Sequence, residues 1–352
     1  MGDGFAMNGG DGTYSYTKNS HYQKEASDSV KGMIEEAVIS KLDVEKLLSI
    51  STTLTIADLG CSVGPNTFFT VQNLMKAVEN KCSHSNSNSK TCIEFNVLFN
   101  DQSSNDFNTL FASLPPERQY YSAGVPGSFQ GRLFPRGSIS VFHSSYALQW
   151  LSKVQLPHEF MNEGRVHYTG APSEVVRAYS DQFEKDMGVF VSARAEEMVR
   201  GGLMFLIMPG IPDGLSHSDS HTPSAVLFSF LGYSLMELAN EGVVEKSAVD
   251  EFNLPIYAPT VGEMRKVIER NGCFSIETME LTNPRSQVGA VNAVSLIKHL
   301  RAGMEGILTA HFGKSVVDKM FIKISEKDQE MWRCFEACNH TSTQLFLVLK
   351  RN

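Results

Sequence analysis

Apolar positions along the chain change their period several times, and each change predicts an element. Val30, Ile34, Val38 and Leu42 recur every four residues, which predicts an amphipathic helix within residues 24–48, ahead of the first strand. A mainly apolar run, Leu54 to Leu59, crosses a glycine turn and continues as a periodic helix through Phe69, Leu74 and Val78. "SHSNSNSK" (83–90) reads as a polar loop, and "IEFNVLFND" (93–101) as a strand that ends on an acid. "SISVFHSS" (138–145) and "LMFLIMP" (203–209) predict buried strands. Between them a long helix runs from an N-cap Ser173 through Val176, Tyr179, Phe183, Met187 and Phe190. After Gly210 comes a polar loop, "DGLSHSDSHTP", then helical stretches at 224–241 and 292–311, with two late strands near 273–281 and 344–352.

Strands alternating with helices predict an α/β chain built on a doubly wound, Rossmann-like parallel sheet. The late helical material reads as an inserted cap over the carboxyl ends of the strands, where such sheets bind ligands. On this division, residues 1–210, 260–291 and 312–352 form the core, and 211–259 and 292–311 form the cap. No internal repeat is visible.

Composition narrows the function classes. With 352 residues, 42% apolar and 20% charged, the chain has the makeup of a globular enzyme. A net charge of -8 and the lack of clustered Lys and Arg argue against nucleic acid as a partner. Six cysteines at 61, 82, 92, 273, 334 and 338 lack metal-site spacing and predict reduced thiols in a cytosolic protein. "MGDGFAMNGGDG" has no apolar core for a signal peptide, Ala6 stands where a myristoylation motif needs Ser or Thr, and no run is long enough to span a membrane.

The turn "DLGCSVGPNTF" carries the first chemistry. Gly60 and Gly64 do not complete the dinucleotide pattern, and Pro65 removes a backbone N–H where a pyrophosphate would need a donor. The turn suits a nucleoside without phosphates. Asp101, at the end of the next strand, could take ribose hydroxyls, or Asn100-Asp101 could be a plain turn. His217, Asp219 and His221 space like metal ligands, but a Ser-rich loop favours solvated side chains, and no metal is expected. Cys334 and Cys338 fall one helical turn apart, and Asn339-His340-Thr341 fits a glycosylation acceptor without a secretory signal.

Seven long motifs together are more specific than any of these. "MNGGDGTYSYTKNSHYQK", "ADLGCSVGPNTF", "FNDQSSNDFNTLF", "GVPGSFQGRLFPRGS", "HSSYALQWLSKV", "FNLPIYAPT" and "HFGKS" run nearly end to end. The chain resembles the plant salicylate/benzoate/theobromine (SABATH) methyltransferases, and within them the branch that contains loganate methyltransferase, through "EGRVHYTGAPSEVV", "GGLMFLIMPGIP" and "SLMELANEG". The resemblance implies a class I methyltransferase fold, S-adenosylmethionine as donor with S-adenosylhomocysteine as product, and a homodimer.

By matching motif, it also implies that Tyr16 and Ser20 hold the donor's amino-acid tail, with Asp58, Gly60 and Asn66 around the turn. Asp101 would accept the ribose hydroxyls, and Ser128 and Phe129 would face the adenine. Gln23 and Trp150 would clamp a substrate carboxylate. Their N–H groups orient an anion without neutralising it, whereas taken alone Trp150 reads as core and Gln23 as surface. Tyr146, Gln149, Phe228 and Tyr257 would shape the acceptor pocket. The loganate branch carries His at the positions of Gln149 and Phe228, so the resemblance favours a smaller or less hydroxylated acid here. "VQLPHEFMNEG" is also shorter than the resemblance implies. Three functions follow: carboxyl O-methylation of a small plant acid (benzoate, salicylate, jasmonate or iridoid type), N-methylation of a purine alkaloid, or donor binding without turnover.

Overall fold

A computed structural model describes residues 6–84, 93–156, 162–217, 222–284, 292–338 and 343–352. Several expectations fall wholly or partly outside this set: most of the 83–90 loop, Asp219, His221, Asn339–Thr341 and the middle of "VQLPHEFMNEG". Among the described residues, β1 (Thr53–Leu59), β2 (Glu94–Asp101), β3 (Tyr121–Pro126), β4 (Ile139–Ser145), β5 (Met198–Pro209), β6 (Phe274–Thr282) and β7 (Gln344–Arg351) form one sheet. Its order is β3-β2-β1-β4-β5-β7-β6.

Side chains alternate across the strands, and both faces are apolar. Ala57, Leu59, Met204, Leu206 and Met208 enter one core, while Leu54, Ile56, Leu203, Phe205 and Ile207 enter the other. A sheet buried on both faces shows as continuous apolar runs, which is why β1, β4 and β5 stand out in the sequence. β3 does not, because "YSAGVP" is a half-exposed edge strand of small residues.

Strands β1 to β5 pair parallel, but β7 runs antiparallel to both β5 and β6, so the sheet is mixed rather than wholly parallel. The reason lies in the connection. β6 ends at the same edge as β5, and the chain then builds three helices before β7 begins at that edge, with Gln344 opposite both Thr282 and Pro209. A return from the same edge needs no crossover and yields an antiparallel strand.

The first helical region is broken into α1 (Tyr16–Asn19), α2 (His21–Ser29), α3 (Lys31–Lys41) and α4 (Val44–Ile50) rather than running as one helix over 24–48. Leu42 turns extended, and Asp43 caps α4 by accepting from the Lys46 N–H at 3.1 Å. α5 (Asn66–His84) follows the glycine turn, and α6 (Phe107–Ala112) follows β2. α7 (Ser173–Glu197) starts at its expected cap, Ser173, and the N-cap lies one residue earlier: Pro172 holds that position and offers no side-chain acceptor.

α8 (Pro223–Asn240), α9 (Lys246–Glu251), α11 (Ala293–Phe312), α12 (Lys314–Glu326) and α13 (Asp328–Ala337) share a third apolar core, and α10 (Val261–Asn271) packs with α7 against the sheet. α12 and α13, in the stretch 312–352 assigned to the sheet core by pattern, pack on α8 and α11 through Met320, Phe321, Ile324 and Phe335. Their apolar stripes match helices above the sheet as well as helices on it, so periodicity alone does not separate the two. Among the described residues no helix is long and apolar enough to cross a membrane.

One buried ion pair fixes the segment after β3. Arg194, near the end of α7, sends its Nε and Nη2 to Glu197 Oε2, both at 2.7 Å, and neither side chain is exposed. The guanidinium also donates to the carbonyls of Phe129 at 2.6 Å and Gly131 at 2.8 Å, while Glu197 Oε1 accepts from the N–H groups of Leu133 and Phe134. Removing one partner strands a buried charge. Arg194→Met should therefore cost about 3–5 kcal/mol in urea unfolding. A loss below about 1 kcal/mol would show that the loop 127–135 is held by other contacts.

Candidate active site

The strand order reverses between β1 and β4, and the crevice beyond their carboxyl ends holds the residues singled out by sequence. Gly60 follows β1 at φ +82, and a Cβ there would lie 2.3 Å from Ala147 Cβ, so only glycine allows this approach to the segment after β4. The N–H groups of Gly60 and Cys61 donate to the Asn100 carbonyl at 2.9 and 3.0 Å. The Asn100 side chain, fully buried, donates in turn to Val125 O at 2.7 Å and Gly127 O at 2.9 Å. One residue thus ties together the turns after β1, β2 and β3.

Asp101 sits at the centre of this arrangement. Its Oδ2 accepts from Ser62 N–H and its Oδ1 from Gln102 N–H, both at 2.7 Å. Burial pushes its carboxyl up to about 6 against the pull of those two donors. Each oxygen keeps a lone pair. Ser62 is a non-glycine residue at φ +50, and its buried Oγ has no partner among the described residues. Tyr16 lies close enough that the Asp101 charge, after burial, raises its phenol further.

Asp58 and Asn66 are held by the protein itself. Asp58 bridges His143 Nδ1 at 2.7 Å and the Thr67 hydroxyl, and Asn66 donates to the carbonyl and Oγ of Ser20, both at 3.1 Å. These bonds lock β1, β4, α5 and the start of α2 around the turn. Ser128 is exposed, and its Oγ accepts from Gln130 N–H at 3.3 Å. The Phe129 ring meets Phe190 edge to face at 6.2 Å. The donor groups, lone pairs and missing backbone N–H fit a ribose diol without a pyrophosphate.

Beside the turn lies a cavity of about 460 Å3, roofed by α8 and α11. Tyr16, Gln23, Tyr146, Gln149, Trp150 and Phe228 all line it, so the structure gathers these sequence-named residues from four separate segments. Tyr257 is the exception. It is fully buried behind the wall, and its hydroxyl donates to Glu263 Oε1 at 2.7 Å. Trp150 is not on a helix with Leu148 and Leu151; it follows β4 in a turn and bridges to Ile256. Tyr146 takes φ +53 where the chain leaves β4, and its hydroxyl donates to Gln344 Oε1 at 2.9 Å. The strain there aims the following residues at the cavity.

Both glutamine orientations follow from their partners. His299 Nδ1 must donate to the Asn19 carbonyl at 2.9 Å. Its Nε2 is then a lone pair that only the Gln23 amide nitrogen, 3.3 Å away, can satisfy. Gln149 Nε2 donates to Tyr146 O at 2.8 Å, leaving Oε1 buried without a partner among the described residues.

The lining includes three histidines with no sequence-derived role: His167, His217 and His299. Burial lowers the basicity of all three, pushing His167 down to about 3. Among the described residues no Lys, Arg, Asp or Glu lines the cavity. "RVHYTG" was legible as a motif, but His299 sits on a helical face with Leu296 and Leu300 and carries no signal of its own.

A family model described as SAM dependent carboxyl methyltransferase matches residues 3–352. Loganic acid O-methyltransferase of Catharanthus roseus is 46% identical over 98% of this chain and 94% of its own length. Farnesoic acid carboxyl-O-methyltransferase of Arabidopsis thaliana is 39% identical over the whole of both chains. A probable caffeine synthase of Camellia sinensis is more distant, at 33% over 98% of this chain and 97% of its own. A solved loganic acid methyltransferase with S-adenosylhomocysteine superposes with a TM-score of 0.92 at 44% identity, covering 98% of each chain. With the switch-point turn, the phosphate-free cradle and the adjoining cavity all present in one fold, the chain belongs to the S-adenosylmethionine-dependent carboxyl methyltransferases.

Proposed function

We propose that this methyltransferase esterifies a small plant acid with a largely apolar body, and that Gln23 and Trp150 align the acid's carboxylate. The cavity wall carries the proposal: among the described residues it offers N–H donors to an anion but no cation to neutralise it. A model carboxylic acid ionises near pH 4, so no general base is needed at neutral pH. The histidines kept neutral by burial leave the carboxylate its full nucleophilicity. When bound, S-adenosylmethionine supplies a methyl group on cationic sulfur; the carboxylate oxygen takes it as the C–S bond breaks and the electron pair returns to sulfur. Opposite charges vanish along this path, so a dry apolar cavity favours it, and alignment is the protein's main contribution.

On the donor side, Asp101 takes the ribose diol. Tyr16 and Ser20 lie towards the amino-acid tail, and Ser128 and Phe129 beside the adenine. Gly60 lets the turn approach, while Asp58 and Asn66 keep it rigid. Tyr146, Gln149 and Phe228 bound the acid, with Tyr257 supporting them from behind. The proposal includes a homodimer, by family likeness, and a cytosolic site of action, supported by five free cysteines among the described residues.

Three outcomes test this reading. Asp101→Ala should weaken S-adenosylhomocysteine binding in calorimetry by about 1.5–3 kcal/mol, the range for hydrogen bonds to a charged group. Unchanged affinity in a folded variant would remove Asp101 from the donor site.

The same carboxyl makes a pH prediction. Its folded value, raised to about 6 above an unfolded value near 4, gives stability that is present below about pH 4 and lost as pH rises through 6. Ligand-free protein should therefore lose on the order of 2–3 kcal/mol across that window relative to Asp101→Asn, measured by urea unfolding at several pH values.

On the acceptor side, Gln23→Ala should lower kcat/KM for the best acid by about 10–100-fold with donor affinity retained. The methyl product should be released by mild alkali, as an ester is. An alkali-stable product from a purine, made equally well by Gln23→Ala, would replace the carboxylate by a ring nitrogen.

A further inference from the structure

His217 is a wall residue for which methyl transfer has no use. Its side chain is 13% exposed, lines the cavity, and points Nε2 at Glu263 Oε2, 3.0 Å away. Glu263 belongs to the first turn of α10, and its carboxylate is encircled by donors. Thr260 N–H reaches Oε2 at 2.8 Å, while the hydroxyls of Tyr257 and Ser180 reach Oε1 at 2.7 and 2.8 Å. Such a carboxylate only accepts, so the proton of the 3.0 Å contact is on His217 Nε2. The ring is packed against Tyr257 at 5.1 Å and Tyr168 at 6.3 Å between centroids. Burial keeps it neutral more strongly than Glu263 favours its charge. A neutral ring with its proton on Nε2 has Nδ1 as an acceptor, with no partner among the described residues. Gln149 adds a second acceptor, because the bond from its amide nitrogen to Tyr146 O orients the amide and leaves its buried Oε1 with no partner among the described residues.

A carboxylate offers nothing to these two atoms, since it too only accepts. An apolar body offers them nothing either, and burying them unpaired against it is unfavourable. Both therefore call for a donor on the ligand. We infer that His217, held in one tautomer by Glu263, is a specificity residue that accepts a hydrogen bond from a hydroxyl of the acid, so that the substrate class is hydroxy acids rather than plain hydrocarbon acids. The inference rests on the carboxyl-methylation reading and adds to it the second polar group of the substrate. His217 touches the acid; Glu263 acts through His217 and is a positioning residue.

The test is a ratio of kcat/KM values within matched pairs, each acid against its counterpart lacking one hydroxyl. The probes are benzoic acid with the three monohydroxybenzoic acids, and farnesoic acid with its ω-hydroxy derivative. The wild type should prefer a hydroxylated member by about 10–100-fold, the range for leaving one buried acceptor unpaired. In His217→Leu the preference should fall to within about threefold. In His217→Gln, which keeps both an N–H for Glu263 and a carbonyl acceptor, part of it should return, a pattern that loss of packing alone would not give. S-adenosylhomocysteine calorimetry checks that each variant is folded. Should His217→Leu misfold, the wild-type and His217→Gln ratios still decide the matter. A wild type indifferent to the hydroxyl, or a preference that survives in His217→Leu, overturns the inference while leaving carboxyl methylation intact. Turnover of no acid at all overturns both.

Discussion

Everything at the donor end depends on how Asn100 is bonded. Its carbonyl receives the two N–H groups of the turn after β1, and its side chain holds the carbonyls at the end of β3. Three strand ends are therefore drawn to one buried amide, and Asp101, the next residue, is delivered to the place where they meet. The Ser62 and Gln102 N–H groups then fix both oxygens of Asp101. In the proposed donor role, a carboxylate so constrained would lose little freedom on meeting a diol, and its rigidity would favour affinity. The Arg194–Glu197 pair extends the same logic to the loop that follows, since it grips the backbone on both sides of Gln130.

The acceptor end is organised by the opposite principle, the exclusion of charge. Among the described residues, Glu263 stands behind this wall as a strut for His217, while the surfaces facing the cavity are neutral donors, neutral acceptors and rings. In water-poor surroundings a cation beside the substrate would stabilise the carboxylate more than the transition state, in which that charge has partly disappeared. On the proposed reading the wall selects by hydrogen-bond direction instead, a finer filter than net charge.

Much of this was legible in the sequence, for identifiable reasons. Strands buried on both faces show as apolar runs, and the pattern of Gly60, Gly64 and Pro65 argues against a pyrophosphate from sequence alone. Asp101 is ambiguous in the sequence because spacing cannot tell a turn from a ligand; the structure adds its burial and its two backbone donors. Gln23 and Trp150 looked like surface and core residues, and only motif likeness brought them together, because they meet through the tertiary packing of α2 on the end of β4. His217 was read as solvated, since nothing in a Ser-rich loop reveals a carboxylate 46 residues later that turns it inward. The resemblance places Tyr257 at the pocket, but its neighbours Ile256 and Ala258 line the cavity while its ring lies behind them. The sense of β7 was hidden as well, because strand direction depends on where the preceding helices sit rather than on any residue of the strand.

That last strand has a consequence for how the molecule is made. β7 lies inside the sheet, between β5 and β6, and its first residue, Gln344, donates to Ala26 O, the Ser29 hydroxyl and Thr282 while accepting from Tyr146. The contact with Ala26 spans 318 positions of the chain. During synthesis, β5 and β6 emerge with facing edges unpaired, and α2, which carries Gln23, has no anchor there until β7 leaves the ribosome. Loop closure over such distances is slow, and open strand edges invite other chains. The last turn of α2, which follows Gln23 on the same helix, therefore gains its anchor only when the end of the chain folds into the slot between β5 and β6.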